Sequence, residues 1–189
     1  MRKIVLTGGP YAGKSTVAER LRAEGFALAP EAALLVIGAL REELGIERAQ
    51  GWRDAHPGPF QERIAQLQLD LEARAERSGS EWIVCDRGIP DGIAYCRLRG
   101  IEPPALVLEA AARARYDAVL LFDTLGSFDS RSESGRVDDR GDSLRLRELI
   151  RTVYLEHADR PVVIPERPLG ERLALVRAVL EGLGRPPEH

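Results

Sequence analysis

The sequence is poor in lysine, histidine and cysteine and has no long apolar run, and each shortage closes off a class of function. Its three histidines, His56, His157 and His189, are scattered, so a transition-metal site lacks its donors. The two cysteines, Cys85 and Cys96, stand in neither CxxC spacing nor a His-rich setting, which speaks against a zinc module or disulfide framework and predicts buried, reduced thiols. No apolar run approaches the roughly 20 residues of a membrane span. The longest, Ala32 to Ile37 continuing past Gly38 to Leu40, suits a buried helix. A net charge of −3 leaves no generally basic surface for nucleic acid, though it allows a local arginine-lined pocket. Met1-Arg2-Lys3 leads straight into a strand-like segment, so a cytoplasmic protein with no signal peptide and no membrane insertion is expected. Of 27 basic residues only Lys3 and Lys14 are lysines; elsewhere arginine supplies the cation. Lys14 is therefore conspicuous, because a compact ammonium on a flexible stem suits insertion between β- and γ-phosphates.

What is present fits one globular domain over residues 1–189, with 44% hydrophobic and 30% charged residues. Lys3–Thr7 reads as a buried strand ended by Gly8-Gly9-Pro10. From Lys14 the spacing turns helical, with Val17 and Leu21 on one face, until Gly25. Phe26–Ala29 is a short second strand. Glu31 opens an almost wholly apolar helix to about Leu40, expected at the centre of the fold. Gly45–Pro59 lacks clean periodicity and reads as a loop. Phe60, Ile64, Leu67 and Leu71 then mark the face of a helix running to about Arg77.

Trp82–Asp86, Asp117–Phe122 and Pro161–Ile164 are three more strands. Helices are expected over Pro90–Leu98, Pro104–Arg115, Leu144–His157 and Leu169–Leu183, before a frayed Gly184–Pro187 tail. Gly126–Asp142 is rich in Ser, Asp, Gly and Arg and is expected to be a mobile lid. Continuous apolar strands alternating with helices predict an α/β fold: a three-layer α/β/α arrangement around a five-stranded parallel sheet, with ligands at the carboxyl ends of the strands.

Gly8-Gly9-Pro10-Tyr11-Ala12-Gly13-Lys14-Ser15 matches G-x-x-x-x-G-K-[ST] between the first buried strand and a helix, the context this pattern requires. Glycines let the backbone wrap phosphates, and the loop N–H groups and helix N-terminus supply positive potential. Lys14 reaches the β/γ oxygens, and Ser15 offers its hydroxyl to Mg²⁺. Asp86-Arg87 follows the third strand directly. If that strand neighbours the first, Asp86 is placed to hold Mg²⁺ or its water shell, and Arg87 to reach a phosphate or substrate hydroxyl. An N-cap salt-bridged to its neighbour is the structural alternative, and Asp123, also ending an apolar strand, is the competing metal carboxylate. Glu31, just past the second strand, is placed either to take a proton from an acceptor hydroxyl or simply to complement the helix dipole. Among Arg131, Arg136, Arg140, Arg145 and Arg147, Arg136 is the first choice for neutralising charge on a transferred phosphoryl group, because it stands between Gly135 and Asp138-Asp139.

With these residues in place the chain resembles the P-loop kinase-like ATPases, and more narrowly the small AAA-labelled predicted ATPases related to the ribosylnicotinamide kinase domain. The resemblance rests on Ile4–Pro10 with Gly13-Lys14-Ser15-Thr16, Pro30–Ala33, Asp86-Arg87-Gly88 with Asp91 and Tyr95, Tyr116-Asp117, and Gly135-Arg136 with Asp138-Asp139. It implies that Gly8 to Thr16 bind the nucleotide, that Asp86-Arg87 correspond to the Asp-Arg pair of such kinases, and that Glu31 falls near the position from which nucleoside kinases supply a base. Phe128 is the lone lid aromatic, and Gly45–Pro59 is an unusual insert.

The expected function is an ATP- and Mg²⁺-dependent kinase, with GTP as the other donor, acting on a small hydroxyl- or phosphate-bearing acceptor such as a nucleoside or nucleotide held between Glu31, Arg87 and the Trp52 region. No nucleic-acid partner is expected, and the assembly is a monomer or homodimer. The other reading is a slowly hydrolysing regulatory module; no [NT]KxD guanine-reading motif occurs. A mechanical AAA+ ATPase would need a strand ending Asp-Glu and a helical lid domain, and neither is supplied.

Overall fold

Five parallel strands form one sheet in the order β2-β3-β1-β4-β5, so the first strand lies in its middle. They are β1 (Arg2–Gly8), β2 (Ala27–Ala29), β3 (Trp82–Asp86), β4 (Ala118–Phe122) and β5 (Val162–Ile164). The computed structural model describes residues 1–125 and 140–184, with the side chain of Arg140 outside that description. Arg131, Arg136, Phe128 and Asp138-Asp139 of the expected lid, and Arg185 onward in the tail, lie outside the described residues.

Alternation along the strands builds the layers. Ile4, Leu6, Leu120 and Phe122 point to one face, where they meet Val17 and Leu21 of α1 (Lys14–Ala23) and Leu173 and Val176 of α8 (Leu169–Gly184). Val5, Cys85, Val119 and Leu121 point to the other, against α5 (Asp91–Leu98), α6 (Ala105–Arg113) and α7 (Arg140–Glu156), through Ile93, Val107, Ile150 and Tyr154. Burial on both faces is what makes these strands continuous apolar runs. The expected α/β fold with a five-stranded parallel sheet is therefore present.

The remaining helices, α2 (Ala32–Leu44), α3 (Ile46–Ala55) and α4 (Pro57–Glu76), depart most from expectation. Gly45–Pro59 is not a loop: it holds all of α3 and the first turn of α4. Gly45, at φ 81, separates α2 from α3, and Pro57 starts α4 at a position where a missing N–H costs nothing. Periodicity hid α3 because only Ala49 of it is buried. Helix α2 is not at the centre of the fold. It packs on α3 and α4 through Val36 and Leu40 and leaves Leu34 and Leu35 exposed. On α4 the face of Phe60, Ile64, Leu67 and Leu71 is only half-buried, and the buried stripe is Gln61, Ala65, Gln68, Glu72 and Ala75. Helix α7 begins at Arg140, inside the segment expected to be lid.

Candidate active site

The carboxyl ends of β1, β2 and β3 bring the sequence-singled residues together. Gly8, Gly9, Pro10, Tyr11, Ala12 and Gly13 turn the chain from β1 into α1, and Lys14, Ser15 and Thr16 form its first turn. Gly8 takes φ 138, and a Cβ there would stand 2.5 Å from the Phe122 carbonyl oxygen. Gly13 takes φ 73 as the residue capping α1, so both ends of the loop need a residue without a side chain. The buried Lys14 reaches back across the loop, its Nζ donating to the Gly9 carbonyl at 2.9 Å.

Strands β1 and β3 are neighbours, with Leu6 in register with Asp86. The loop and the strand-end carboxylate are thereby adjacent: Ser15 Oγ donates to Asp86 Oδ2 at 2.6 Å. Asp86 Oδ1 is buried and has no hydrogen-bond partner among the described residues. Burial raises the Asp86 pKa, with the nearby Lys14 ammonium opposing it. A half-satisfied carboxylate beside a serine hydroxyl fits a hard divalent cation such as Mg²⁺. Among the described residues no group of three or more acid, His or Cys side chains forms a cage, so such an ion would complete its shell with water and phosphate oxygens. Asp123, past β4, is instead 2.5 Å from Arg147 of α7.

Arg87 directly follows β3 with φ 77, a conformation side-chain-bearing residues rarely adopt. Its N–H donates to the Leu6 carbonyl at 3.0 Å, and its carbonyl accepts from Gln68 Nε2 at 3.1 Å, holding that backbone in place. The guanidinium turns inward, where Nε donates to Glu31 Oε1 at 2.8 Å and Nη1 to Asp91 Oδ2 at 3.1 Å and to the Gly8 carbonyl at 3.0 Å. Asp91 also accepts from Thr7 Oγ1 at 2.6 Å and Tyr154 OH at 2.9 Å. Burial pulls the Arg87 pKa down, but Tyr95, Glu31 and Asp91 outweigh it, and the cation persists. Arg87 Nη2 is buried without a partner among the described residues. Glu31 itself is the residue before α2.

A cavity of about 460 Å³ opens beside this cluster, between α2, α3, α4 and α5, with Arg87 and Asp91 in its lining. Ile37, Phe60, Ile64 and Ile101 give it apolar walls, and Gln50, Gln61, Gln68 and Arg53 contribute polar groups. Gln61 is buried, and no described residue hydrogen-bonds its carboxamide. That volume and lining suit a small flat molecule with polar edges. Trp52 is not in the wall. It packs with Val36, Leu40 and Phe60, stacks on His56 at 5.1 Å and carries Arg63 at 4.6 Å, while its neighbours on α3 line the cavity.

Several residues of this region escaped sequence reading. Gln61 and Gln68 sit seven apart on one helix face, a readable spacing, but on the side that hydrophobicity does not mark. Tyr154, inside the expected Leu144–His157 helix, carries no local signal of its bond to Asp91, 63 residues away. Arg172 of α8, whose Nη1 donates to the Ala12 carbonyl at 2.8 Å, had no local signal, being 160 residues from its partner.

The model of an AAA domain family matches residues 3–172. Among solved structures the chain is similar to thymidylate kinase from Ehrlichia chaffeensis, with TM-score 0.67 and 18% identity over 95% of this chain and 98% of that one. It is also similar to thymidylate kinase from Candida albicans, with TM-score 0.59 and 16% identity over 96% and 91% of the two chains. No curated protein matches the sequence. At these identities the two likenesses concern the fold, which is that of the P-loop nucleotide kinases.

Proposed function

Because the chain belongs to this AAA domain family and has a P-loop kinase-like fold, we propose that it is an ATP- and Mg²⁺-dependent phosphotransferase acting on a hydroxyl or phosphate of a small molecule, a nucleoside, nucleotide or related metabolite. One observation carries the reading: the Lys14–Ser15–Asp86 group, with its unsatisfied carboxylate oxygen, stands at the same strand ends as the Glu31–Arg87–Asp91 cluster and its adjoining cavity. Donor phosphates belong in the Gly8–Thr16 loop and the acceptor in the cavity. GTP is the other donor this loop can take, since its contacts are to phosphates.

The cavity lining sets Arg53, Arg87 and Arg99 against Asp54 and Asp91, so its charge is compatible with a hydroxyl or a phosphate acceptor. For a hydroxyl acceptor the candidate base is Glu31, paired with Arg87. Glu31 takes the hydroxyl proton as the acceptor oxygen forms its bond to the γ-phosphorus; the bond from that phosphorus to the β–γ bridging oxygen breaks, and ADP leaves. Lys14 stabilises charge on the β- and γ-oxygens, and Arg87 holds Glu31 in position. Mg²⁺, held by Ser15 and Asp86, would neutralise the phosphates and orient them in line.

The test is a panel of nucleosides, nucleotides and small polyols incubated with γ-labelled ATP and Mg²⁺. One labelled acceptor is expected, a phosphomonoester from a hydroxyl or a diphosphate from a phosphate. Label only in inorganic phosphate across the panel would replace this reading with a regulatory nucleotide-binding module, and a labelled diphosphate would remove Glu31 from the role of base. Lys14→Ala is expected to abolish ATP binding by calorimetry; unchanged affinity would remove the loop's role.

A further inference from the structure

The loop that wraps the donor phosphates is gripped from behind by an arginine of the last helix. Arg172 lies in the first turn of α8 and is 7% exposed. Its Nη1 donates to the Ala12 carbonyl at 2.8 Å. Its guanidinium also lies against Gly13: a Cβ built there would stand 2.6 Å from Nη1, 3.0 Å from Nη2 and 3.3 Å from Cζ. Leu173 and Val176, following on α8, pack with Ala12, Val17 and Leu21, so the grip is seated in the core.

A planar trans peptide points its C=O and N–H in opposite directions. Holding the Ala12 carbonyl toward α8 therefore aims the Gly13 N–H away from α8. From the geometry we infer that Arg172 is a positioning residue for the donor triphosphate: it orients the Ala12–Gly13 peptide so that the Gly13 N–H faces the anion, and it places a buried positive charge behind the loop. This rests on the reading of Gly8–Thr16 as the donor site. It also assigns a second reason for glycine at 13, since any side chain would displace the guanidinium. Burial lowers the Arg172 pKa, with exposed Glu166 acting the other way. Its Nε has no hydrogen-bond partner among the described residues, so the charge is only partly satisfied by protein and gains from a polyanion nearby.

Arg172→Met keeps the stem and removes the donor and the charge. Calorimetric titration with ATP, inorganic tripolyphosphate and adenosine separates phosphate from base recognition. Affinity for ATP and for tripolyphosphate is expected to fall by the same factor, about tenfold to a hundredfold, the size of a lost charge-assisted hydrogen bond, with adenosine binding unchanged. Arg172→Lys, which keeps the charge and one donor, should fall between wild type and Met. Wild-type tripolyphosphate affinity in a normally melting Met variant would overturn the inference; so would a loss confined to ATP, which would mean that Arg172 reads the base or ribose. If the Met variant does not fold, the Lys variant decides, and wild-type tripolyphosphate affinity there would equally overturn it. Lys14→Ala measured alongside separates the two ideas: if it binds ATP normally the donor-site reading itself fails, and if it alone loses binding only the Arg172 inference does.

Discussion

Removing the guanidinium of Arg87 should take from the buried carboxylates Glu31 and Asp91 the cation they share. In Arg87→Met the stem is retained, while Glu31 loses a 2.8 Å ion pair and Asp91 one of 3.1 Å, all with side chains no more than 6% exposed. Asp91 keeps its bonds from Thr7 and Tyr154. Breaking a buried pair by deleting one partner costs about 3–5 kcal/mol, against a total stability of about 5–15 kcal/mol for a typical domain. At roughly 2–4 °C per kcal/mol for a chain of this size, melting should drop by about 6–20 °C. The sign with pH follows from proton binding. Losing the guanidinium favours the protonated form of the buried carboxylates it faced, so the variant's folded state holds protons more tightly than the wild type's. The deficit is then full at neutral pH and shrinks as the pH falls toward the carboxylate range. Adding Glu31→Gln to Arg87→Met should restore much of the loss at neutral pH. Calorimetric melts at neutral and mildly acidic pH are the assay. An unchanged melting temperature at neutral pH, or a double variant no better than the single, would refute a mutually supporting buried cluster.

Asp86→Asn should move activity and stability in opposite directions. Turnover should fall by about a hundredfold to a thousandfold through loss of charge at the transferring phosphate, yet in metal-free buffer the variant should melt higher at neutral pH. Burial raises the Asp86 pKa from 3.8, with Lys14 opposing, so the ionised side chain burdens the empty fold above that value and ceases to as the pH drops below it; a less stable or fully active variant contradicts this. The thiols should be silent in the native state: burial pushes Cys96 up to about 11 and raises Cys85 well above the ordinary thiol value. A thiol reagent at mildly alkaline pH should label neither until denaturant is added, and fast labelling of native protein would contradict that.

The strands were readable because parallel strands covered on both faces leave no polar alternation to misread; β3 was expected and found over Trp82–Asp86. What failed was the inference from apolar composition to position. Residues 32–40 look like a central helix, yet Leu34 and Leu35 are exposed because α2 stands beyond the sheet, on α3 and α4. Nothing in a helix's own sequence states what lies on its far side. The Gly8–Thr16 loop was readable because its donors are backbone groups contiguous along the chain. The competition between Asp86 and Asp123 was not readable in the sequence, because both strands flank β1 and the two carboxylates differ in their partners, Ser15 for Asp86 and Arg147 of α7 for Asp123.

Helix α4 carries a different lesson, since its signal was present and ran against the usual sign. Gln61, Ala65, Gln68, Glu72 and Ala75 follow a four-three-four-three spacing, as regular a helical stripe as the Phe60, Ile64, Leu67 and Leu71 that marked the expected inward face. The polar stripe is the buried one. Gln68 donates to Glu72 at 3.0 Å and to the Arg87 carbonyl, Glu72 accepts from Tyr116 at 2.9 Å and from Lys3 at 2.9 Å, and Gln61 is left facing the cavity. A helix that walls a ligand site must present hydrogen-bonding groups inward, and interspersed alanines let it approach closely while doing so. A regular stripe of amides, a carboxylate and alanines, on a helix whose apolar stripe lies beside it, thus points to a polar site.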